Sequence, residues 1–136
     1  MREILFRGKS KHTGEWVTGA YVSKNWYPNK GVVEESNIIS YEDGDECLWH
    51  LITPETVGQY TGLTDKNGKK IFEGDIVKHD FGAEQIGVQY AVVEYDAKYA
   101  SFMINPLYDW MYCVKNDVEI IGNIHDNKLE DFDNGN

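Results

Sequence analysis

"TGLTDKNGKKIFEGDIV", residues 61–77, is the densest run of turn-forming and ligand-type residues in the chain. Its Asp, Asn, Gly and Lys residues admit three readings: a calcium loop, a phosphate cradle or a β-turn. A calcium loop needs oxygen ligands at positions 1, 3 and 5, glycine at 6 and a bidentate acid at 12. With Gly68 at position 6, Asp65 and Asn67 fall correctly, but Leu63 occupies position 1 and Gly74 position 12. Both anchoring ligands are missing. A phosphate loop of the Walker type needs Gly-Lys followed by Ser or Thr, whereas "GKK" here runs into Ile71. What fits is a turn, with Asp65 capping it and Asn67-Gly68 supplying positive φ angles. "IFEGDIV" then reads as a tight turn at Gly74 feeding a strand.

Outward from this turn, alternation of apolar and polar residues dominates, and helical periodicity is nearly absent. "EILFRGKS" and "TGEWVTGAYV" form a predicted hairpin. Trp16, Thr18, Ala20 and Val22 lie on one face of its second strand, Val17 and Tyr21 on the other. "SKNWYPNKGVVEES" reads as a loop pinned by Trp26 and Tyr27. "NIISYE" and "CLWHLIT", flanking "DGDE", predict a second hairpin. After Pro54 come five short strands: "VGQYTG", "DIVKHD", "GVQYAVVEYD", "YASFMI" and "VEIIGNI". Ile86, Val88, Tyr90 and Val92 share a face of the third, and a hairpin turns at Asp96-Ala97-Lys98. Strands this short and close together predict a small SH3-like or related barrel in the C-terminal part. One short helix is expected, with Asn105 as N-cap, Pro106 at its first position and "LYDWMYC" following. The expectation is a mainly β single domain over residues 1–136. Its N-terminal hairpins and loop occupy 1–53, the barrel-like core 54–126 and an acidic tail 127–136.

At 136 residues, with 41% hydrophobic and 13% aromatic content, the chain can bury a core without covalent staples. Cys47 and Cys113 are too few for a disulfide scaffold and lack metal-type spacing, so both are expected as reduced, partly buried thiols. No segment approaches the ~18 consecutive apolar residues of a membrane span, and the N-terminus lacks a signal-peptide core. A soluble, cytoplasmic protein with no membrane association is expected. Net charge is −10, unevenly spread: residues 1–30 balance at +4 and the remainder at −14. Seven acids and no Lys or Arg occupy residues 31–60. An acidic body repels nucleic acid at long range. The basic arm on such a body reads first as a solvated face of unlike charges, and alternatively as a partner for an acidic segment of a neighbouring copy.

Chemistry-bearing residues form no assembled constellation. "KHD" at 78–80 and "IHD" at 124–126 set carboxylates beside His79 and His125, but adjacent strand residues point to opposite faces. A metal or acid–base site would require the fold to bring His79 and His125 together. No serine sits in a nucleophile-elbow context, and Cys113 has no flanking base. Tyr90, Tyr95, Tyr99, Phe102, Tyr108, Trp110 and Tyr112 cluster in the last third with Lys98 as the only cation between 90 and 112. That composition favours core or subunit interface over a nucleic-acid stacking platform. The expectation is therefore no catalytic, cofactor-binding or metal residues, and no cofactor.

"ETVGQYTGLTDKNGKKIFEGDIV", "EIIGNIHDN" and "ILFRGKSKHTGEWVTGAYV" together resemble the YopX family of small phage and prophage proteins. The likeness spans most of the chain. Lys128 stands where members often carry proline. The resemblance implies a mainly β protein with a barrel-like core, encoded by a phage or prophage of a Gram-positive bacterium, with no activity attached. Three readings of function follow. The first is a non-enzymatic, self-associating module that binds a host or phage protein. The second is a nucleic-acid-binding barrel using Arg2, Arg7, Lys9 and Lys11. The third is a metal-dependent enzyme built on His79 and His125.

Overall fold

Period-two alternation becomes strand throughout the described parts of the chain, and helical structure is confined there to two single 3₁₀ turns, Pro54–Thr56 and Leu129–Asp131. The structure, a computed structural model, describes residues 3–26, 33–42, 46–82, 84, 87–105, 109–110 and 117–132. Its strands are β1 (Phe6–Lys9), β2 (Trp16–Trp26), β3 (Val33–Glu42), β4 (Glu46–Leu51), β5 (Gly58–Thr64) and β6 (Lys70–Phe72). There follow β7 (Asp75–Asp80), β8 (Val88–Asp96), β9 (Ser101–Asn105), β10 (Asp109–Trp110) and β11 (Glu119–Asn123). Two antiparallel sheets result, with orders β4-β3-β2-β1-β5-β6 and β10-β9-β8-β7-β11. The chain divides into two compact units, Met1–Gln59 and Tyr60–Asn136.

In the N-terminal unit both predicted hairpins form, β1 with β2 and β3 with β4. The stretch read as a loop is mostly ladder. β2 and β3 pair from Ala20↔Ile39 out to Trp26↔Val33, leaving only residues 27–32 between them, outside the described residues. Polar cross-strand neighbours such as Lys24↔Glu35 and Ser23↔Ser36 hide the alternation that signals a strand. The β1–β2 turn is held by Ser10, whose Oγ accepts the N–H groups of His12 at 3.2 Å and Thr13 at 3.4 Å. One face of this sheet is the core, with Ile38 and Ile52 fully buried among Gly8, Ser10 and Ser36. Gly19 is required by close approach: a Cβ there would land on the Ile39 carbonyl oxygen. Ser10 bridges Ile52, through Lys11 N–H to the Leu51 carbonyl and Thr53 N–H to the Lys9 carbonyl (both 2.9 Å), tying the end of β4 to the β1–β2 turn.

The C-terminal unit packs Ile71, Val77, Ala91, Val93, Ile104 and Val118 into one cluster, flanked by Leu63, Phe102 and Ile120. The SH3-like barrel expected here is not what forms. The five-stranded sheet stays open, and no ladder among the described residues joins β10 to β11. The physical reason lies at the outer edge of β11, which is taken by the 65–69 turn. Lys66 N–H donates to the Val118 carbonyl at 2.9 Å, and Ile120 N–H donates to Asp65 Oδ2 at 3.1 Å. Within the expected helix, Asp109 and Trp110 form a strand paired with Ile104 and Met103; Pro106 to Tyr108 and Met111 to Cys113 lie outside the described residues. Pairing with the β9 edge satisfies backbone groups there as a helix would have done. On β8, Val88, Tyr90 and Val92 alternate with Gln89, Ala91 and Val93 as expected, but Ala91 and Val93 carry the core; Ile86 is outside the described residues.

Candidate functional site

The opening motif is resolved by its bonds. Asp65 is 3% exposed, and its Oδ1 accepts the N–H groups of Asn67 and Lys69, each at 2.9 Å. Gly68 N–H donates to the Asp65 carbonyl at 3.0 Å. Only Gly68 takes a positive φ, +80°; Asn67 does not, because one left-handed residue suffices to close this turn. Burial alone would raise the Asp65 pKa, but the backbone N–H groups of Ile120, Lys69 and Asn67 and the nearby Lys69 charge hold it below the ordinary value. Both carboxylate oxygens are thus spent on the chain's own backbone. Asp75, 1% exposed, likewise caps the following turn, its Oδ2 accepting Phe72 N–H at 2.8 Å. In "EIIGNIHDN", Asn123 Oδ1 accepts the N–H groups of His125 at 3.0 Å and Asp126 at 3.1 Å, an Asx turn. Lys66 Nζ lies 3.3 Å from Glu119 Oε2 across the same junction. The two blocks most like a motif are one structural joint.

His79 and His125 are not brought together. His79 sits on β7, its Nδ1 3.4 Å from the Asp117 carbonyl and its ring edge-on to Phe81 at 4.2 Å. His125 follows Ile124, whose N–H donates to the Gly74 carbonyl at 2.9 Å, just before β7 begins. From Gly74 to His79 is five residues of extended chain, roughly 17 Å at strand rise. Among the described residues no group of three His, Cys, Asp or Glu side chains could hold a metal ion. Cys47 is exposed on β4 and not partly buried as its apolar neighbours suggest; Cys113 lies outside the described residues. No helix of the described residues is long and apolar enough to cross a membrane.

The candidate surface is the outer face of the N-terminal sheet. Alternation sends Gly8, Ser36, Ile38 and Ile52 inward and Arg7, Lys9, Trp16, Thr18, Ala20 and Ile39 outward. Trp49, opposite Ile39 in the register, shares the outward face and is 53% exposed. A groove of about 560 Å³ opens here, lined by Ile4, Leu5, Trp16, Thr18, Ala20 and Ile39 among others. Ile4 at its mouth is 62% exposed. The Arg7 guanidinium lies 4.7 Å and the Lys9 ammonium 5.5 Å from the Trp16 ring centroid, so two cations and an indole form one stack. On the opposite face, the one that carries Ile38, His50 Nε2 is 2.8 Å from Ser40 Oγ. The alternation of Trp16, Thr18 and Ala20 is legible in sequence; the addition of Ile39 and Trp49 from β3 and β4 depends on register and is not. In the C-terminal unit Tyr95 and Tyr99 are about half exposed, so neither belongs to the core.

The model of the YopX protein family matches residues 5–130. Among solved structures, protein EF1440 from Enterococcus faecalis is similar over 93% of this chain and 96% of its own, with a TM-score of 0.52 and 20% identity, a likeness of fold. No curated protein matches.

Proposed function

The chain belongs to the YopX family, and from that premise we propose that it is a non-enzymatic, self-associating interaction module, encoded by a phage or prophage and acting in the host cytoplasm. The observation that carries this reading is the outward face of the N-terminal sheet, where Ile4 lines a groove of mixed polar and apolar character and Trp49 lies on the same face, both more than half exposed. Large apolar side chains exposed on one face, beside Arg7 and Lys9, suit a protein partner better than solvent. The partners we propose are a second copy of this chain and a host or phage protein. The wide separation of His79 and His125, and the commitment of Asp65 to backbone N–H groups, support a role without catalysis. Light scattering at low and high salt tests self-association. A strict monomer at both would overturn it.

A second reading, nucleic-acid binding, is favoured by the grouping of Arg7 and Lys9 about the half-buried Trp16, since cations beside an aromatic ring suit a base and its phosphate. The net charge of −10 opposes it. A gel-shift assay at low salt, where electrostatic binding is strongest, decides: no retention of single- or double-stranded DNA or RNA removes this reading.

A further inference from the structure

We propose that Asn67 is a self-modification site: its side-chain amide is lost by attack of the Gly68 backbone nitrogen, at a rate set by opening of the Asp65 turn, and the isoaspartate product releases the outer edge of β11. The proposal is independent of self-association.

An Asn-Gly step offers this reaction the least obstruction, because glycine carries no side chain beside the attacking nitrogen. The Gly68 nitrogen loses its proton to solvent and bonds to Cγ of Asn67. The Cγ–Nδ2 bond breaks, ammonia leaves, and a five-membered succinimide closes. Water then opens the ring. Attack at Cγ gives aspartate, and attack at the main-chain carbonyl of residue 67 gives isoaspartate, whose main chain runs through the former side chain. One water is consumed and one ammonia released, with no other reactant. Asn67 and Gly68 are both exposed, and no atom lies within 4 Å of the place where a Cβ would stand on Gly68. Burial therefore gives this peptide bond no protection.

What protects it is Asp65. The Gly68 N–H, the group that must lose its proton, donates to the Asp65 carbonyl at 3.0 Å. The N–H groups on either side, of Asn67 and Lys69, donate to Asp65 Oδ1 at 2.9 Å each. One residue thus holds the peptide from both flanks and occupies its nucleophile. Reaction needs the turn open, and where opening and closing are fast its rate follows the open population. Each bond shifts that population about fivefold, so three together slow the reaction on the order of a hundredfold. The consequence reaches β11, which ends the order of its sheet. Its outer edge is covered by this same turn, through Lys66 N–H on the Val118 carbonyl and Asp65 Oδ2 on Ile120 N–H. Isoaspartate lengthens the main chain between Asp65 and Lys69 by one carbon and sets a new carboxylate two residues from the buried one. The N–H groups of residues 67 and 69 then no longer converge on a single oxygen, the turn cannot reclose, and a strand edge is bared.

The test uses the full chain at neutral pH and follows, by mass spectrometry of the peptide that carries residue 67, the exchange of the side-chain amide for a carboxylate. The native rate is expected to lie about a hundredfold below that of the same chain in guanidinium chloride. That factor should equal the hydrogen-exchange protection of the Lys69 N–H in the native state. Asp65→Ala removes both Oδ1 bonds and is expected to raise the native rate roughly 25-fold. Native protein enriched in isoaspartate by ion exchange is expected to show at least about tenfold faster exchange at the Ile120 N–H. No reaction at Asn67 in the denatured chain overturns the site itself. A native rate equal to the denatured one, a slowing that departs from the Lys69 protection, or no effect of Asp65→Ala overturns the gate. Unchanged exchange at Ile120 in the isoaspartate form overturns the release of β11. Should Asp65→Ala fail to fold by circular dichroism, the match between native rate and Lys69 protection decides the gate alone.

Discussion

Asp65→Asn removes one charge and changes no volume, and it should be among the most damaging single changes in the C-terminal unit. The carboxylate accepts three backbone N–H groups: Asn67 and Lys69 on Oδ1, Ile120 on Oδ2. An asparagine can keep its oxygen toward Asn67 and Lys69, but its NH₂ then faces the Ile120 N–H, donor against donor. One charge-assisted bond is lost and an N–H is left buried without an acceptor, together about 3 kcal/mol. With a urea m-value of roughly 1.5 kcal/mol/M for a unit of this kind, the midpoint should fall by about 2 M. Linkage supplies a second signature. The folded pKa is depressed, so the stabilisation is fully present above the unfolded value of about 3.9 and is lost as pH falls through the lower folded value. The wild type should therefore lose stability in acid over that window, and Asp65→Asn should lack that part of the slope. Urea denaturation between pH 7 and pH 3 measures both, and hydrogen exchange should show Ile120 losing protection first. A midpoint shift within about 0.3 M, or an unchanged acid slope, would refute the assignment of Asp65 as the joint between the 65–69 turn and β11.

The remaining expectations are simpler. Gly19→Ala should destabilise the N-terminal unit by about 2 kcal/mol or more, because the new methyl meets the rigid Ile39 carbonyl, and thermal melting measures it. Asn123→Ala should cost about 1 kcal/mol by removing the side chain that caps the turn after β11, again read by melting. In a Cys113→Ser background, Cys47 should react with a thiol reagent in the native state at a rate near that of the unfolded chain, since it is exposed. Elemental analysis should find no stoichiometric metal, and double substitution of His79 and His125 by Ala should leave the melting temperature within error. Bound metal lost with those histidines would restore the enzymatic reading.

Both predicted hairpins of the N-terminal unit, the Asp65 turn, the Gly74 turn and the hairpin at residues 96–98 follow from local rules. Apolar alternation has a two-residue period, and turns need Asp, Asn or Gly at particular offsets; both are visible within a window of ten residues. Failures fell where local signals are ambiguous or overridden. β2 and β3 run on through polar residues to Trp26 and Val33 because each supplies the other's backbone partners, a gain that no single strand displays. Asp109 and Trp110 follow a helix-start signal and are strand, because the edge of β9 offered them a ladder. Of the aromatic cluster expected as core or interface, Tyr95 and Tyr99 stand half exposed at one hairpin, which removes only the core alternative for these two.

Family, strand content and the failure of the 61–77 stretch as a ligand loop could all be had from the sequence alone. Each depends on residue identities at fixed spacing. Strand order could not. Every antiparallel pairing offers similar backbone bonds, so the choice among pairings is made by packing and by side chains that bond far along the chain. Asp65 reaching across 55 positions to Ile120 is such a choice, and it turned an expected barrel into an open sheet. The same kind of choice parted His79 from His125, gathered Trp16, Ile39 and Trp49 onto one face, and left β4 at an edge.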